Sequence, residues 1–318
     1  MLRGGRGLSK RATSATIGAM RFGIDLGGTK IEILALDDGG VERYRVRAPT
    51  SDHYEGIVRG IAELVRAAEA ETGEQASVGI GMPGCLSPAT GLVKGSNTTF
   101  LNGKPLDRDI EAALGRRVRM ANDANCFALS EATDGAAAGK RVVFGVILGT
   151  GCGGGVVVDG RILEGPHGIA GEWGHTPLPW QVGHENPGPR CWCGRMGCLE
   201  VWLAGTGLAR DCDGPGARDA TQIPLRAEAG DEAARAALAR HAERLARGLA
   251  GVINLLDPDA VVLGGGLSNL DHLYEEVPRL LKPYVFSDVV HTPILKNRHG
   301  DSSGVRGAAW LWPRQPAG

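Results

Sequence analysis

The stretch that decides the fold is RFGIDLGGTKIEILAL, residues 21–36. Its two predicted strands, 21–25 and 31–36, flank a glycine pair, a pattern that indicates an antiparallel pair joined by a tight turn. The stretch VVFGVILGTGCGGGVVV, residues 142–158, repeats the order strand, glycine run, strand in the second half of the chain. The repeat indicates a duplicated fold that places two glycine turns on facing domains.

The remaining segments alternate between helix and strand patterns. Apolar spacing predicts helices at Ile57–Ala70, Ala124–Ala132 and Asp231–Leu256, and buried strands at Ser77–Met82, Val118–Ala121 and Val261–Leu263. Alanine and glycine in Asp134–Gly139 indicate a hinge, and Gly160–Arg190 is typical of a loop. Alternating strands and helices place the chain in the α/β class.

The composition excludes several classes of function. The chain has 318 residues, long enough for one large or two ordinary domains, and its 35 basic and 36 acidic residues nearly balance. No charge bias favours nucleic acid or a membrane surface, and no apolar run is long enough to span a bilayer. We therefore expect a cytoplasmic protein with no nucleic-acid or membrane partner.

The first 19 residues are basic, with Arg3, Arg6, Lys10 and Arg11 and no acidic side chain. They lack the apolar core of a secretory signal. Their charge fits a transit peptide, but we favour a disordered extension ahead of Met20.

The glycine run of the second half has to be assigned to a type of loop. Gly149-x-Gly151-x-x-Gly154 formally matches the dinucleotide-binding fingerprint, but a strand follows it where that fingerprint requires a helix. A Walker loop is excluded because no Gly-Lys-Ser/Thr follows any glycine run. A plain hairpin turn is the alternative for either unit alone. Two such units, with Asp25 opening the first, favour backbone binding of phosphates and Mg²⁺ held by Asp25.

Three of the seven cysteines crowd into Cys191-x-Cys193-x4-Cys198, and His175 lies sixteen residues before the first of them. An odd, clustered set argues against a disulfide framework and for a reducing compartment. Three thiolates and one imidazole suit a closed, tetrahedral structural zinc site. His184 competes with His175 as fourth ligand, and clustered thiols without metal are the alternative.

Asn122 and Asp123 directly follow a predicted strand. A carboxylate at the C-terminal end of a strand lies where α/β folds bind their ligands. The same aspartate would also serve as the N-cap of the helix Ala124–Ala132. The local sequence leaves both roles open.

Taken together, these motifs resemble one family, the ROK sugar kinases (repressor, open reading frame, kinase). The matching segments are DLGGTK at 25–30, GMPG at 81–84, NDAN at 122–125, LGTG at 148–151, EWGH at 172–175, CWCGRMGCLE at 191–200 and LGGG at 263–266. The resemblance covers residues 20 to about 313. Two further segments, GEWGHTPLPW at 171–180 and HGDSSGVRGAAW at 299–310, look most like the bacterial fructokinase and mannokinase branch, with N-acetylglucosamine kinases close behind.

The resemblance implies an actin-like (ribonuclease H-like) α/β fold, the two-domain sugar kinase fold with a cleft between the domains. It implies an extension at 1–19, a small α/β domain at 20–133 completed by a C-terminal helix at about 303–318, and a large α/β domain at 134–302 that carries the zinc-binding loop. It also implies ATP and a hexose as substrates, Mg²⁺ and structural Zn²⁺ as cofactors, and a homodimer.

The resemblance further implies a role for each matching residue. Asp123 would be the general base of phosphoryl transfer, and His175 would bind zinc through one ring nitrogen and sugar through the other. The implied sugar-binding residues are Gly84, Asn97, Asn122, Asp123, Glu172, His175 and Glu200. The residues implied for the nucleotide and Mg²⁺ are Asp25, Gly27, Gly28, Thr29, Lys30, Gly149, Thr150, Gly151, Gly264, Gly265 and Gly266. The implied zinc ligands are His175, Cys191, Cys193 and Cys198.

The resemblance defines the reaction better than the substrate. It implies phosphorylation of fructose to fructose 6-phosphate, with mannose or glucose as further substrates. An N-acetylglucosamine kinase or glucokinase of the same family is the alternative. A non-catalytic sugar-binding regulator is a second alternative, but we expect the residues ahead of Met20 to be too few for a DNA-binding helix-turn-helix.

Overall fold

A computed structural model describes residues 20–313, so the predicted N-terminal extension lies outside the described residues. Within this range the chain forms two five-stranded mixed sheets with helices packed around and between them. None of the helices in this range combines the length and the apolar character needed to cross a membrane.

The first sheet has the strand order β3-β2-β1-β4-β7, in which β1 to β3 are antiparallel and β4 and β7 run parallel to β1. The predicted hairpin at 21–36 is confirmed, because Ile24 pairs with Ile33 and the Gly27 N–H donates to the Lys30 carbonyl at 3.0 Å. Its strands are β1 Arg21–Leu26, β2 Lys30–Leu36, β3 Glu42–Pro49, β4 Ser77–Met82 and β7 Val118–Asn122, and a separate pair is formed by β5 Cys85–Leu86 and β6 Val93–Lys94.

The second sheet has the order β10-β9-β8-β11-β12, in which β8 to β10 are antiparallel and β11 and β12 run parallel to β8. Its strands are β8 Val142–Leu148, β9 Cys152–Val158, β10 Arg161–Ile162, β11 Ala260–Gly264 and β12 Ile294–Lys296. The order and directions repeat those of the first sheet. The duplicated fold predicted from the two strand–glycine–strand stretches is therefore confirmed.

The helices begin and end at local signals that the sequence carries. The long helix α7 starts after Asp231, whose side chain accepts from the N–H groups of Ala233 and Ala234, and it stops at Asp257 in a left-handed conformation with φ 44°. The helices are α1 Tyr54–Thr72, α2 Leu106–Leu114, α3 Asp123–Thr133, α4 Glu200–Leu203, α5 Gly205–Asp213, α6 Ile223–Glu228, α7 Glu232–Leu256, α8 His272–Leu280 and α9 Ser303–Trp310.

Helices α3 and α9 pack against each other between the two sheets, with α9 on the first sheet and α3 on the second. A Cβ at Gly307 of α9 would lie 1.7 Å from the Cys126 carbonyl oxygen of α3, so glycine is needed for this approach. On the sheet side, a Cβ at Gly23 or Gly79 would lie 2.0 Å or 1.9 Å from a carbonyl oxygen of α9. The last described helix thus covers the first sheet, while the predicted domain boundaries stay a prediction.

The turn formed by the second glycine run is shorter than the sequence indicates. Its glycines at 153–155 are strand residues of β9, so the turn is limited to Gly149–Gly151. The reason is the close packing of α3 on this strand, because a Cβ at Gly155 would lie 2.7 Å from the Ala124 carbonyl oxygen. Glycine inside β9 therefore allows another backbone to approach.

Candidate active site

The carboxyl ends of the parallel strands of both sheets meet at one place. In the first sheet Asp25 pairs with Gly81, so β1, β4 and β7 end at the same edge, and Asp123 follows β7 there. In the second sheet Ile147 pairs with Gly264, so the glycine turn after β8 and the glycines after β11 share an edge. Ligands of α/β folds bind at such edges.

A cavity of about 350 Å³ lies between these edges. Among the predicted site residues, those that line it are Asp25, Gly27, Gly28, Asn97, Asp123 and Gly265. The other lining residues are Leu26, Pro83, Phe127, Ile147, Gly300, Asp301, Ser303 and Gly304. One cavity therefore joins the first glycine turn, the aspartate that follows β7 and the glycine motif that follows β11.

Asp123 is the first residue of α3, and the N-cap of that helix is Asn122. Asn122 Oδ1 accepts from the Ala124 N–H at 2.9 Å, and Asp123 Oδ1 lies 2.8 Å from the same nitrogen. The N-cap role left open for Asp123 is therefore filled by its neighbour. Solvent reaches Asp123 through the cavity, but the surrounding protein displaces most of the bulk water, and this desolvation raises the pKa of its carboxyl.

Asp25 lies in the same electrostatic environment. Burial raises the pKa of its carboxyl to about 6, and the negative charges of Asp123 and Glu32 add to the increase. The cations Lys30 and Arg47 act in the opposite direction without cancelling it. The cavity therefore concentrates negative charge that a cation would relieve.

The second glycine turn is fixed by contacts on several sides. The Gly149 N–H donates to the Gly151 carbonyl at 3.0 Å, and the Gly149 carbonyl accepts from the N–H of Gly205 at the start of α5 at 2.8 Å. The Glu200 carboxylate accepts from the Cys152 N–H at 3.1 Å. A Cβ at Gly151 would lie 2.9 Å from a Glu200 oxygen, so a side chain there would displace the Glu200 carboxylate. Glu200, which the motifs assign to the sugar, thus also supports the turn assigned to phosphate.

The predicted sugar-binding residues outside the cavity fall into two neighbouring groups. Gly84 and Asn122 form one, because the Asn122 side-chain amide donates to the Gly84 carbonyl at 3.2 Å. Glu172 lies three residues before His175 of the cysteine cluster. Burial raises the pKa of the Cys85 thiol, and the negative charge of Glu172 raises it further, so Glu172 lies near Cys85 and Gly84. The two groups therefore approach each other where β4 ends.

The three cysteines and His175 form a compact cluster. Their ligand atoms all lie within 4.8 Å of one another, with Cys191 Sγ 3.7 Å from His175 Nδ1 and the Cys193 and Cys198 sulfurs 3.6 Å apart. A tetrahedral zinc with Zn–S bonds of about 2.3 Å separates its sulfurs by about 3.8 Å. The donor set therefore fits zinc, and Nδ1 of His175 faces the sulfurs.

His184, the competing fourth ligand, lies elsewhere. Its ring centroid is 6.1 Å from the Trp202 ring, and its Nε2 lies 3.4 Å from a guanidinium nitrogen of Arg244. The imidazole in the cysteine cluster is that of His175.

Comparisons with known proteins bear on the whole arrangement. The model of a family described as the ROK family matches residues 21–315. The chain belongs to the ROK family. It is 42% identical over 302 residues to an N-acetyl-D-glucosamine kinase of Pasteurella multocida (strain Pm70), covering 92% of this chain and 99% of that protein.

Solved ROK structures have the same fold. A ROK hexokinase from Thermus thermophilus is 34% identical, with a TM-score of 0.82 over 92% of this chain and 97% of that one. A ROK family glucokinase from Streptomyces griseus, in complex with glucose and AMPPNP, is 28% identical, with a TM-score of 0.74 over 92% of this chain and 98% of that one. The predicted actin-like sugar kinase fold is confirmed.

The comparisons also confirm a ROK sugar kinase, an ATP-dependent phosphotransferase. The fructokinase and mannokinase branch is not confirmed, because ROK relatives at 41% to 42% identity are N-acetyl-D-glucosamine kinases. The predicted homodimer stays a prediction.

The ROK site contains residues that sequence reasoning missed. Asp301 and Ser303 line the cavity from the segment ahead of α9, and Phe127 lines it from α3. The sequence signal for Asp301 and Ser303 was the segment 299–310, but its motif was used only to choose a branch of the family. Phe127 carries no signal, because an apolar residue in a helix is usually core.

Glu131 of α3 is another missed residue. Its side chain is fully buried, and its carboxylate accepts from the Ala136 N–H at 2.8 Å, the Arg298 N–H at 3.1 Å and the Ser303 hydroxyl at 2.8 Å. It therefore ties the predicted hinge and the segment that carries Asp301 to the helix that begins with Asp123.

We expect Glu131→Gln to lower the free energy of unfolding by about 2–3 kcal/mol, because charge-assisted hydrogen bonds are lost and buried donors are left unpaired. Urea denaturation measures this, with Glu63→Gln on the exposed side of α1 as a control that should stay within about 0.5 kcal/mol of wild type. Equal denaturation midpoints for the two variants would contradict the prediction.

Proposed function

We propose that this chain is an ATP-dependent N-acetyl-D-glucosamine kinase, the alternative to the fructose kinase expected from the sequence. The observation that carries the proposal is the Asp123 carboxylate, which has a raised pKa and lines one cavity with Asp25, the first glycine turn and the glycine motif after β11. The choice of sugar is supported by ROK relatives at 41% to 42% identity that are N-acetyl-D-glucosamine kinases.

In this proposal Asp123 is the general base. Its carboxylate accepts the proton of a sugar hydroxyl while that oxygen attacks the γ-phosphorus, the bond from phosphorus to the β–γ bridging oxygen breaks, and ADP leaves. The raised pKa suits this role, because a more basic carboxylate takes the proton more readily. Asn122 supports it by capping α3 and bonding to Gly84.

The nucleotide would lie along the glycine turns. Backbone N–H groups at Gly28 and Thr29 on one side and at Thr150 and Gly151 on the other would bind the phosphates, while the N–H groups of Gly27 and Gly149 close their own turns. Gly264–Gly266 would border the adenosine, and Lys30 would add a positive charge at the edge of the first turn.

Asp25 would hold Mg²⁺, and Asp301 in the same cavity is a second candidate. The fit rests on the position of Asp25 in the cavity, where burial and then the negative charges of Asp123 and Glu32 raise its pKa, so that a bound cation would favour its ionised form. Mg²⁺ neutralises phosphate charge in phosphoryl transfer.

The sugar hydroxyls would be held by Asn97 and Asn122 from one side and by Glu172, His175 and Glu200 from the other. Carboxylates and amides read hydroxyl patterns through hydrogen bonds. His175 can serve both sites, because Nδ1 faces the cysteines and Nε2 is left for the sugar. A zinc held by the Cys191, Cys193 and Cys198 cluster would orient these residues without taking part in the chemistry.

A coupled assay of ADP release tests the proposal. We expect the highest kcat/KM with N-acetyl-D-glucosamine among that sugar, glucose, mannose and fructose, in the presence of ATP and Mg²⁺. A higher kcat/KM with fructose would restore the sequence-based expectation, and no turnover with any hexose would overturn the kinase proposal.

The pH dependence should report the two cavity aspartates. Both carboxyl pKa values are raised, that of Asp25 to about 6, so each protonates at a higher pH than an ordinary aspartate. Protonated Asp123 cannot accept a proton, and protonated Asp25 cannot bind a cation. We therefore expect kcat/KM to fall as the pH drops through about 6. A profile that stays flat to pH values near the ordinary aspartate pKa of about 4 would contradict this.

A further inference from the structure

Trp192 is an unusual side chain for its position. It lies between two cysteines of the cluster, Cys191 and Cys193, and 75% of its surface is exposed. A large indole left in solvent contributes little to the core, so its position points to a surface or site role.

The indole touches both sugar ligands proposed on the cysteine side of the site. Its Nε1–H donates to Glu200 Oε1 at 2.6 Å. Its ring meets the His175 ring edge to face, with centroids 5.0 Å apart and an interplanar angle of 84°. One exposed side chain therefore contacts two residues that would read the sugar.

Glu200 is held at both oxygens as a result. Oε1 accepts from the indole of Trp192, and Oε2 accepts from the Cys152 N–H at 3.1 Å. The second contact comes from Cys152, the first residue of β9, and it fixes one oxygen only. Cys191 Sγ also lies 3.8 Å from Oε1, but as a thiolate ligand of zinc it would have no proton to donate. Without the indole the carboxylate could then rotate about the Cys152 contact, and each rotatable bond left free costs entropy when the sugar binds.

We propose that Trp192 is a positioning residue of the sugar site, whose indole N–H holds the Glu200 carboxylate in the orientation that binds the sugar hydroxyls. The inference rests on the proposed kinase function and adds a determinant of sugar affinity to it. Because the indole is exposed and is not a metal ligand, its effect on the sugar is separable from folding and from zinc content.

Trp192→Phe removes the N–H donor and keeps an aromatic ring, and Trp180→Phe is the matched control. Trp180 is also an exposed tryptophan, and its ring packs on Tyr284. We expect Trp192→Phe to raise the KM for N-acetyl-D-glucosamine on the order of tenfold, because a hydrogen bond to a charged group is lost. We expect kcat and the KM for ATP to stay within about twofold of wild type. The reason is that a lost contact which stabilises bound substrate and transition state equally raises KM and leaves kcat unchanged.

A double-mutant cycle with Glu200→Ala separates positioning from direct contact. In that background Trp192→Phe should change sugar affinity, measured by calorimetry with N-acetyl-D-glucosamine, by less than about twofold. The same fold loss in both backgrounds would overturn the proposal, as would an unchanged sugar KM in Trp192→Phe. If the wild-type chain binds the sugar but does not phosphorylate it, the proposed function is wrong. The calorimetric cycle still tests the role of Trp192 in that case.

Discussion

Asp123→Asn is expected to lower kcat on the order of a thousandfold, because asparagine cannot accept the proton of the attacking hydroxyl. The substitution keeps the shape of the side chain, and its amide oxygen can still approach the Ala124 N–H that Asp123 contacts at 2.8 Å. A steady-state assay with saturating N-acetyl-D-glucosamine and Mg-ATP measures the effect.

The fold of this variant should not suffer. The raised pKa of Asp123 means that folding disfavours its charged form, so above that pKa the charge destabilises the native state and its removal should leave unfolding free energy equal or higher. Asp52→Asn, at an exposed carboxylate outside the cavity, is the control and should retain full kcat. Turnover near the wild-type rate in Asp123→Asn, with sugar binding intact, would reject the general-base assignment.

Cys193→Ser is expected to abolish zinc binding and to raise the sugar KM by at least about tenfold, because serine is a poor zinc ligand at neutral pH. The cluster ties the segment of Glu172 and His175 to the segment that leads into Glu200. Losing the metal should therefore loosen the sugar ligands and lower thermal stability. The KM for ATP should change less, because Glu200 supports only the second glycine turn and the first lies on the other sheet.

Elemental analysis and thermal unfolding provide the readouts beside the kinetics, with one zinc per chain expected in wild type. Cys212→Ser is the matched control, since Cys212 is also partly buried, lies in α5 and is outside the cluster. An active wild-type protein free of zinc would refute the metal site. A zinc-free variant with unchanged sugar affinity would refute the coupling between metal and sugar.

The sequence predicted the parts of this protein that depend on neighbours in the chain. Strand, glycine turn and strand at 21–36 and 142–158 are local patterns, so both hairpins and the repeated sheet topology could be predicted. The spacing Cys191-x-Cys193-x4-Cys198 likewise keeps three thiols within one short segment, whatever the rest of the fold does. Asp123 could be singled out because it directly follows a strand.

What the sequence left open depended on contacts between distant residues. His175 and His184 compete as the fourth ligand along the chain. The tertiary structure separates them, because His175 Nδ1 lies 3.7 Å from Cys191 Sγ while His184 packs against Trp202. The fructokinase and mannokinase branch is not confirmed, and the choice of sugar was hard to predict for a related reason, since specificity depends on how loops surround the ligand.

Local and tertiary contributions can be separated for the glycines and the acidic side chains of the site. The sequence by itself determined the two glycine turns, the α/β class and the cysteine cluster, because short-range sterics and ligand spacing decide them. Only the tertiary structure decided that the glycines at 153–155 are strand residues under α3, that Glu131 ties the hinge to the Asp301 segment, and that Glu200 supports the Gly149–Gly151 turn. Each of these depends on a backbone or carboxylate brought close by the packing of α3, α4 and α9, and close approach between segments far apart in the chain leaves no periodic trace in the sequence.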